Sequence, residues 1–150
     1  MITTRQARSI ITAGESIASE IGVPVNIAVL DDGAHLKAFS RMDGAVLGSI
    51  DVATNKARTA VLFAVPSESV WDYCKPGAPA PGLERSNGGL ATFAGGIPLF
   101  DAEGTMVGAV GVSGGTVVQD QEIAKVAASA LSTHCKPASD TRPVIARTSP

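Results

Sequence analysis

A chain of 150 residues, of which 45% are hydrophobic and 17% charged, can bury one core without a metal or a disulfide. The formal net charge of −2 and the aromatic content of 4% argue against the basic surface and stacking platforms that nucleic acids require. We therefore expect one domain over residues 1–150, with no nucleic-acid partner.

Three further features bear on the compartment. No apolar stretch approaches the roughly 20 residues that a membrane-spanning helix needs, so no membrane association is predicted. The residues after Met1 lack the basic and apolar segments of a signal peptide. Cys74 and Cys135 lie far apart and without metal-ligand spacing, which is typical of free thiols in a reducing cytoplasm. We expect a cytoplasmic protein with no dedicated metal site.

The first half of the chain predicts a β-hairpin between helices. Apolar residues recur at three- and four-residue spacing in the first segment, and Thr3 and Gln6 are placed for a capping box. An Asp32-Gly33 turn joins two β-runs, which indicates a hairpin. The predicted elements are a helix over 4–21, strands over 25–30 and 35–41, a helix over 46–63 and a short helix over 67–73.

The second half predicts a β-meander followed by a helix. Residues 75–89 are rich in proline and glycine and indicate a long loop, either a lid or a surface excursion. Asp120 is interpreted as the N-cap of the last helix. The predicted strands cover 90–94, 97–100 and 106–112, and residues 136–150 are expected to form a weakly structured tail. Five antiparallel strands with helices before, within and after them indicate an α/β sandwich.

The order of several sequence blocks resembles the GlcG/HbpS family, which also includes the C-terminal half of PduO proteins. The blocks are Asp31-Asp32-Gly33, Arg41 to Ala45, Ala53 to Ala60, Phe93 to Pro98, and Gly108 to Gly115 with Asp120. The resemblance spans about Thr3 to Leu131 and implies an α/β (α+β), profilin-like fold, with a five-stranded antiparallel sheet sandwiched between helices. It also implies dimers or larger homo-oligomers, and haem binding or haem degradation in some members.

Arg41 and Asp43 lie at the predicted end of a strand, where side chains can point into a cleft. Arg41 could hold a carboxylate or a haem propionate in a bidentate pair, with Asp43 orienting it or acting as a base. The alternative is an ion pair that fixes the Asp43-Gly44 turn, because such pairs exist without any ligand.

Lys56 is the most unusual of the candidate residues, because it lies beside the apolar face of its predicted helix. Small neighbours leave room for a ligand, and the family pattern also places a lysine there. Lys56 could serve as an anion anchor, a proton donor or a Schiff-base amine. The alternative is a lysine that extends along the edge of the core to reach water.

Two glycine-rich segments could bring backbone N–H groups close to an anion. They are the Gly95-Gly96 turn and Ser113 with the two glycines that follow it. Tight turns are the alternative reading of both. With Arg41, Asp43 and Lys56, these segments make up the predicted site: a ligand pocket at a subunit interface, in which Lys56 and Asp43 carry any acid–base chemistry.

The sequence leaves the cofactor open, with haem as the group that the resemblance suggests. Haem iron is usually held by His, Cys, Met or Tyr. The candidates here are His35, Met42, Tyr73, Cys74 and His134, and none has an obvious haem pocket around it. Ser113 is not expected to be a nucleophile, since it has no evident histidine partner.

Three functions therefore stay open. The first is a small-ligand-binding protein, with haem or a related tetrapyrrole as ligand. The second is a small catabolic enzyme of isomerase, hydratase or decarboxylase type that acts on an organic acid. The third is an oligomeric structural partner, whose apolar helix faces serve assembly.

Overall fold

The computed structural model describes residues 1–132 as an antiparallel sheet packed between helices. Single 3-10 turns lie at Ser67–Val70 and Leu83–Arg85. The main elements are α1 (Thr4–Glu20), β1 (Asn26–Asp31), β2 (Leu36–Arg41), α2 (Ser49–Phe63), α3 (Trp71–Cys74), β3 (Gly96–Phe100), β4 (Met106–Ser113) and α4 (Val117–Ser129). The predicted tail over 136–150 lies outside the described residues.

The sheet of the described chain has four strands in the order β2-β1-β4-β3, and every pairing is antiparallel. Both predicted hairpins, β1–β2 and β3–β4, are confirmed, and the pairing of β1 with β4 joins them. In this register Asn26 lies opposite Arg41 on one side and Ser113 on the other. Arg41 and Ser113 of the predicted site thus lie at the same end of the sheet.

The prediction of a fifth strand over residues 90–94 is wrong. The backbone N–H of Leu90 donates to the Glu84 carbonyl at 2.8 Å, and that of Ala91 donates to Thr59 Oγ1 at 3.1 Å. Because the loop and α2 take up these donors, the segment does not pair with a neighbouring strand. An apolar run of this length indicates a buried segment but does not fix its hydrogen-bond partners.

The sheet separates two apolar cores. Helices α1 and α4 cover one face and α2 covers the other. Strand β1 is buried along its whole length, and its side chains alternate between the two faces. Ile27 and Val29 pack toward α1 and α4, whereas Ala28 and Leu30 pack toward α2.

Helix α2 lies unusually close to the sheet because small residues line the contact. Ala53 and Ala57 face Gly111 of β4, and a Cβ atom at Gly111 would come within 2.0 Å of the Ala53 carbonyl oxygen. A Cβ atom at Gly96 would come within 2.3 Å of the Lys56 carbonyl oxygen. These glycines set the distance between the helix and the strands, and so determine how far a side chain of α2 reaches past the sheet.

Two helix starts show the same capping pattern. The predicted capping box of Thr3 and Gln6 at α1 is confirmed. The prediction that Asp120 caps the last helix is wrong, because Thr116 is the N-cap and Gln119 completes a second capping box. Asp120 instead lies in the first turn of α4, with its carboxylate directed into the protein.

The long loop over residues 75–89 folds back on its neighbours. The Ala80 N–H donates to the Tyr73 carbonyl at 2.8 Å, and the Arg58 guanidinium of α2 donates to the Asn87 carbonyl. These bonds fasten both parts of the loop to helices. Its role as a lid stays a prediction.

Among the helices of residues 1–132, none has the length and apolar character that a membrane-spanning segment needs.

Candidate functional site

Lys56 is completely buried, although a lysine is among the side chains least suited to a protein interior. Its Nζ donates to the Val112 carbonyl oxygen and to Asp120 Oδ2, each at 2.9 Å. The ring of Phe93 lies over the ammonium group, 5.0 Å from Nζ to the ring centroid. The space that small neighbours leave around Lys56 is therefore filled by the protein itself.

The ion pair of Lys56 with Asp120 connects the two helical layers. Lys56 belongs to α2 on one face of the sheet, whereas Asp120 belongs to α4 on the other. The lysine side chain passes the end of the sheet beside Gly95, where an added Cβ atom would come within 2.8 Å of Nζ. Asp120 is buried, and its second oxygen accepts the Gly115 N–H at 2.8 Å. Both carboxylate oxygens are thus hydrogen-bonded.

Burial lowers the pKa of Lys56 below its usual 10.5, because an ammonium group loses its hydration in the interior. The hydrogen bond and charge of Asp120 act in the opposite direction, as does the charge of Glu68. A lysine held between a carboxylate, a carbonyl oxygen and an aromatic ring serves best as a fixed cross-link.

A second set of polar contacts lies around the Gly95-Gly96 turn. Gln121 accepts the Gly95 N–H at 3.0 Å through Oε1 and donates to Glu68 Oε1 at 3.0 Å through Nε2. Ser67 accepts the Gly96 N–H at 2.9 Å and donates to the Phe93 carbonyl at 2.7 Å. The Gly95-Gly96 turn is therefore held by side chains from α4 and from the turn after α2, and its N–H groups are already in use.

The structure brings together only part of the predicted site. Lys56, Gly95 and Gly96 are in contact, and Ser113 follows the Val112 carbonyl that Lys56 binds. Arg41 and Asp43 are exposed at the sheet edge, and neither forms an ion pair within residues 1–132. Two strand spacings, about 10 Å, separate the backbones of Arg41 and Ser113. The ligand and acid–base roles of these residues stay predictions.

A groove between α1 and β2 combines apolar and cationic side chains, and we call it the α1/β2 groove. It has a volume of about 430 Å³, within the range of small-ligand pockets. Ile11 and Ala38 supply an apolar floor, and Arg8 and Lys37 supply positive charge. Thr4, Thr12 and Phe39 complete the lining, which contains no acidic residue.

The candidate iron ligands differ in accessibility. The His35 side chain is 80% exposed, and its Nδ1 lies 3.3 Å from Asp31 Oδ1. Tyr73 is exposed and Met42 half-buried. Cys74 is buried, and the loss of hydration raises the pKa of its thiol, which disfavours the thiolate that binds metal. His134 lies outside the described residues, in which no cluster of three or more His, Cys, Asp or Glu side chains is placed to hold a metal ion.

Comparison with known proteins identifies the family. A family model described as "Haem degrading protein HbpS-like" matches residues 2–129. The chain belongs to the HbpS-like family. It is 40% identical, over 84% of its length and 89% of the relative's, to an uncharacterised 15.0 kDa protein of the dhaT–dhaS intergenic region of Citrobacter freundii.

Two solved structures are similar to this HbpS-like chain. The Klebsiella pneumoniae protein ORFY superposes with a TM-score of 0.84 and 37% identity, covering 87% of this chain and 90% of that one. The PduOC–haem complex superposes with a TM-score of 0.82 and 33% identity, covering 86% of this chain and 94% of that one. The curated full-length PduO of Citrobacter freundii is 38% identical, but the chain spans only 34% of its length.

Sequence reasoning missed several residues of this HbpS-like chain. The alanine-rich helix face around Lys56 indicates that this lysine is buried, and a buried ammonium group needs a carboxylate partner. The local sequence pattern did not identify Asp120 as that partner. The second Thr-x-x-Gln sequence, at Thr116 and Gln119, carried the capping signal that was read correctly at Thr3. The α1/β2 groove had no local signal, because its residues come from two separate elements.

Proposed function

We propose that this HbpS-like chain binds haem or a closely related tetrapyrrole in the α1/β2 groove. The observation that carries the proposal is the pairing of Arg8 and Lys37 with an apolar floor. Haem requires this combination, since an apolar macrocycle carries two propionates on one edge. The haem complex of the PduOC relative supports the choice of ligand.

The two cations of the groove are available for propionates. Neither Arg8 nor Lys37 forms an ion pair within residues 1–132. The exposed guanidinium of Arg8 can donate two hydrogen bonds to a carboxylate in a bidentate pair, and Lys37 can bind as a point charge. Ile11 and Ala38, which pack on the α1 side of the sheet, offer the macrocycle an apolar contact, whereas the Phe39 side chain packs toward α2.

The protein's residues fit the organic part of haem better than its iron. No His, Cys, Met or Tyr lines the groove. His35 precedes Lys37 by two residues along the chain, about 7 Å, and its exposed ring would have to leave Asp31, 3.3 Å from its Nδ1, to reach a ligand held there. Bound haem supplies redox-active iron, and this chain orients the macrocycle and binds its propionates.

Another cavity of similar size fits haem less well. About 460 Å³ in volume, it lies between the start of α1 and the β3–β4 hairpin. Phe100, Val107 and Leu131 give it apolar surface, but Asp101 lines it and no Arg or Lys does. A carboxylate beside the propionates would repel them, so charge favours the α1/β2 groove.

The test is a haemin titration followed by absorbance in the Soret region. We expect saturable binding in the wild-type protein and a loss of about a hundredfold in affinity when Arg8 and Lys37 are both replaced by Gln, because each of the two charge-assisted contacts contributes about 1.5 kcal/mol. Arg41→Gln is the matched control: it removes an exposed arginine of the originally predicted site, and we expect it to leave the affinity unchanged.

Protoporphyrin IX, which lacks iron, separates the two kinds of contact. His35→Ala is expected to weaken haemin binding and to leave protoporphyrin binding unchanged. A non-saturable absorbance change, or equal affinity in the wild type and the Arg8→Gln/Lys37→Gln variant, would contradict the proposal. Loss of affinity in Arg41→Gln alone would move the site to the strand end predicted from the sequence.

A further inference from the structure

A small polar pocket lies on the outer face of α2, and we call it the α2 pocket. Asp51, Thr54, Asn55 and Arg58 form one stripe along the helix, because residues three and four apart share a face. Gly88 and Gly89 of the long loop close the pocket, which has a volume of about 140 Å³. It shares no lining residue with the α1/β2 groove and lies on the other helical layer.

The loop wall of the α2 pocket has a backbone that few sequences adopt. Asn87, Gly88 and Gly89 follow one another with φ angles of 55°, 74° and 103°. A Cβ atom on Gly88 or Gly89 would meet nothing within 4 Å, so packing does not explain the two glycines. The Gly88 N–H donates to no acceptor within residues 1–132. Arg58 holds this wall in place through its bond to the Asn87 carbonyl.

The polar side chains of the α2 pocket are not paired with one another. Arg58 and Asp51 line the same space, yet no ion pair joins them or connects either to another described residue. The Oδ1 atom of Asn55 is enclosed and has no hydrogen-bond partner within residues 1–132. Leaving an enclosed polar group unpaired costs about 1–3 kcal/mol, so a structural role alone explains this arrangement poorly.

We propose that the α2 pocket binds a small carboxylate whose adjacent carbon carries a hydroxyl or an ammonium group. Arg58 binds the carboxylate through the guanidinium N–H groups that Asn87 does not use. Asp51, at the other end of the stripe, accepts the hydrogen bond of the hydroxyl or ammonium group. The α2 pocket has about a third of the volume of the α1/β2 groove, about 140 Å³ against 430 Å³, so it suits a much smaller ligand than a tetrapyrrole.

The test uses amide NMR spectra of the whole protein with four matched probes. L-lactate carries both groups, L-alanine replaces the hydroxyl by ammonium, propionate lacks the donor, and lactamide lacks the carboxylate charge. We expect saturable shifts of the Gly88 and Gly89 amides with L-lactate or L-alanine. Propionate is expected to bind more weakly, and lactamide not at all. The stronger of the first two probes identifies the donor that Asp51 prefers.

Two variants and one control connect the binding to the named residues. Arg58→Gln should weaken binding about tenfold or more, as expected for loss of a charge-assisted pair. Arg85→Gln removes an exposed arginine of the same loop and should leave affinity unchanged. Asp51→Asn keeps the Arg58 bond to the loop and should weaken the binding of L-alanine more than that of propionate. This variant tests the site even if Arg58→Gln disturbs the loop.

Three outcomes would overturn the proposal. They are the absence of saturable shifts with L-lactate and L-alanine at tens of millimolar, equal shifts with lactamide, and unchanged affinity in Arg58→Gln. The inference is independent of haem binding, since the probes, the residues and the readout all differ.

Discussion

At the scale of single residues, the Lys56–Asp120 pair is a strong constraint on how the two helical layers pack. The two side chains are 64 positions apart in the chain and are 0% and 4% exposed. Removal of one partner from such a pair leaves an unpaired charge in the interior, which costs about 3–5 kcal/mol. This cost is a large part of the 5–15 kcal/mol that stabilises a typical domain.

We therefore expect Lys56→Met to lower the free energy of unfolding by about 3–5 kcal/mol, measured by urea denaturation. The double variant Lys56→Met/Asp120→Asn should recover part of that loss, because no charge is then buried. Asp120→Asn alone leaves the ammonium group unpaired and should also destabilise. If the losses of stability in the two single variants simply add up in the double variant, the two charges do not interact, and the proposed structural role of Lys56 is wrong.

The same variants examine the predicted ligand role of Lys56. Since its side chain is 0% exposed, the folded double variant should bind haemin with wild-type affinity. Lost haemin binding in a variant that keeps its fold would show that Lys56 belongs to the ligand site.

The local sequence indicates that Lys56 is buried, but it indicates neither its partner nor how far along the chain that partner lies.

At the scale of elements, close contact between α2 and β4 explains why this core needs few aromatic residues. A Cβ atom at Gly111 would lie 2.0 Å from the Ala53 carbonyl oxygen and 2.6 Å from the Ala57 nitrogen. Both are backbone atoms, which cannot rotate away as a side chain can. The helix must move as a unit to admit even one methyl group.

Gly111→Ala is thus expected to destabilise the protein by about 2–3 kcal/mol, at the upper end of the usual cost of overpacking. Gly48→Ala is the matched control, because it has nothing within 4 Å of an added Cβ and a φ of −59°. We expect the control to change the free energy of unfolding by less than about 0.5 kcal/mol. Thermal or urea unfolding of both variants checks this, and equal effects would refute the close packing of α2.

Elements whose signals are local were predictable from the sequence, and those that depend on distant partners were not. The hairpin at Asp32-Gly33 and the capping box at Thr3 require only neighbouring residues, and both are confirmed. Residues 90–94 have strand-like composition, but the N–H groups of the first two donate to Glu84 of the loop and to Thr59 of α2. Asp120 resembled a cap locally, whereas its carboxylate binds a lysine on the opposite layer.

At the scale of the whole molecule, the described surface exposes several large apolar side chains. Val118 at the start of α4 is 77% exposed, and Val117 beside it is 48% exposed. With Ala94 they line a shallow and mostly apolar depression, with Glu122 and Lys125 at its rim. Apolar surface surrounded by charged groups is typical of protein–protein contacts. This surface favours the predicted homo-oligomer, which the resemblance to the GlcG/HbpS family also implied.

We expect light scattering after size exclusion to give a mass that is a multiple of 15.2 kDa. Val118→Asp should shift the protein toward the monomer. A negative charge in the first turn of α4 interacts favourably with the helix dipole, so this change does not unfold the helix. Val46→Asp adds the same charge at another exposed apolar position and should leave the mass unchanged if α4 forms the contact. A wild-type monomer at tens of micromolar would refute the prediction, and dissociation by Val46→Asp alone would move the contact to the segment before α2.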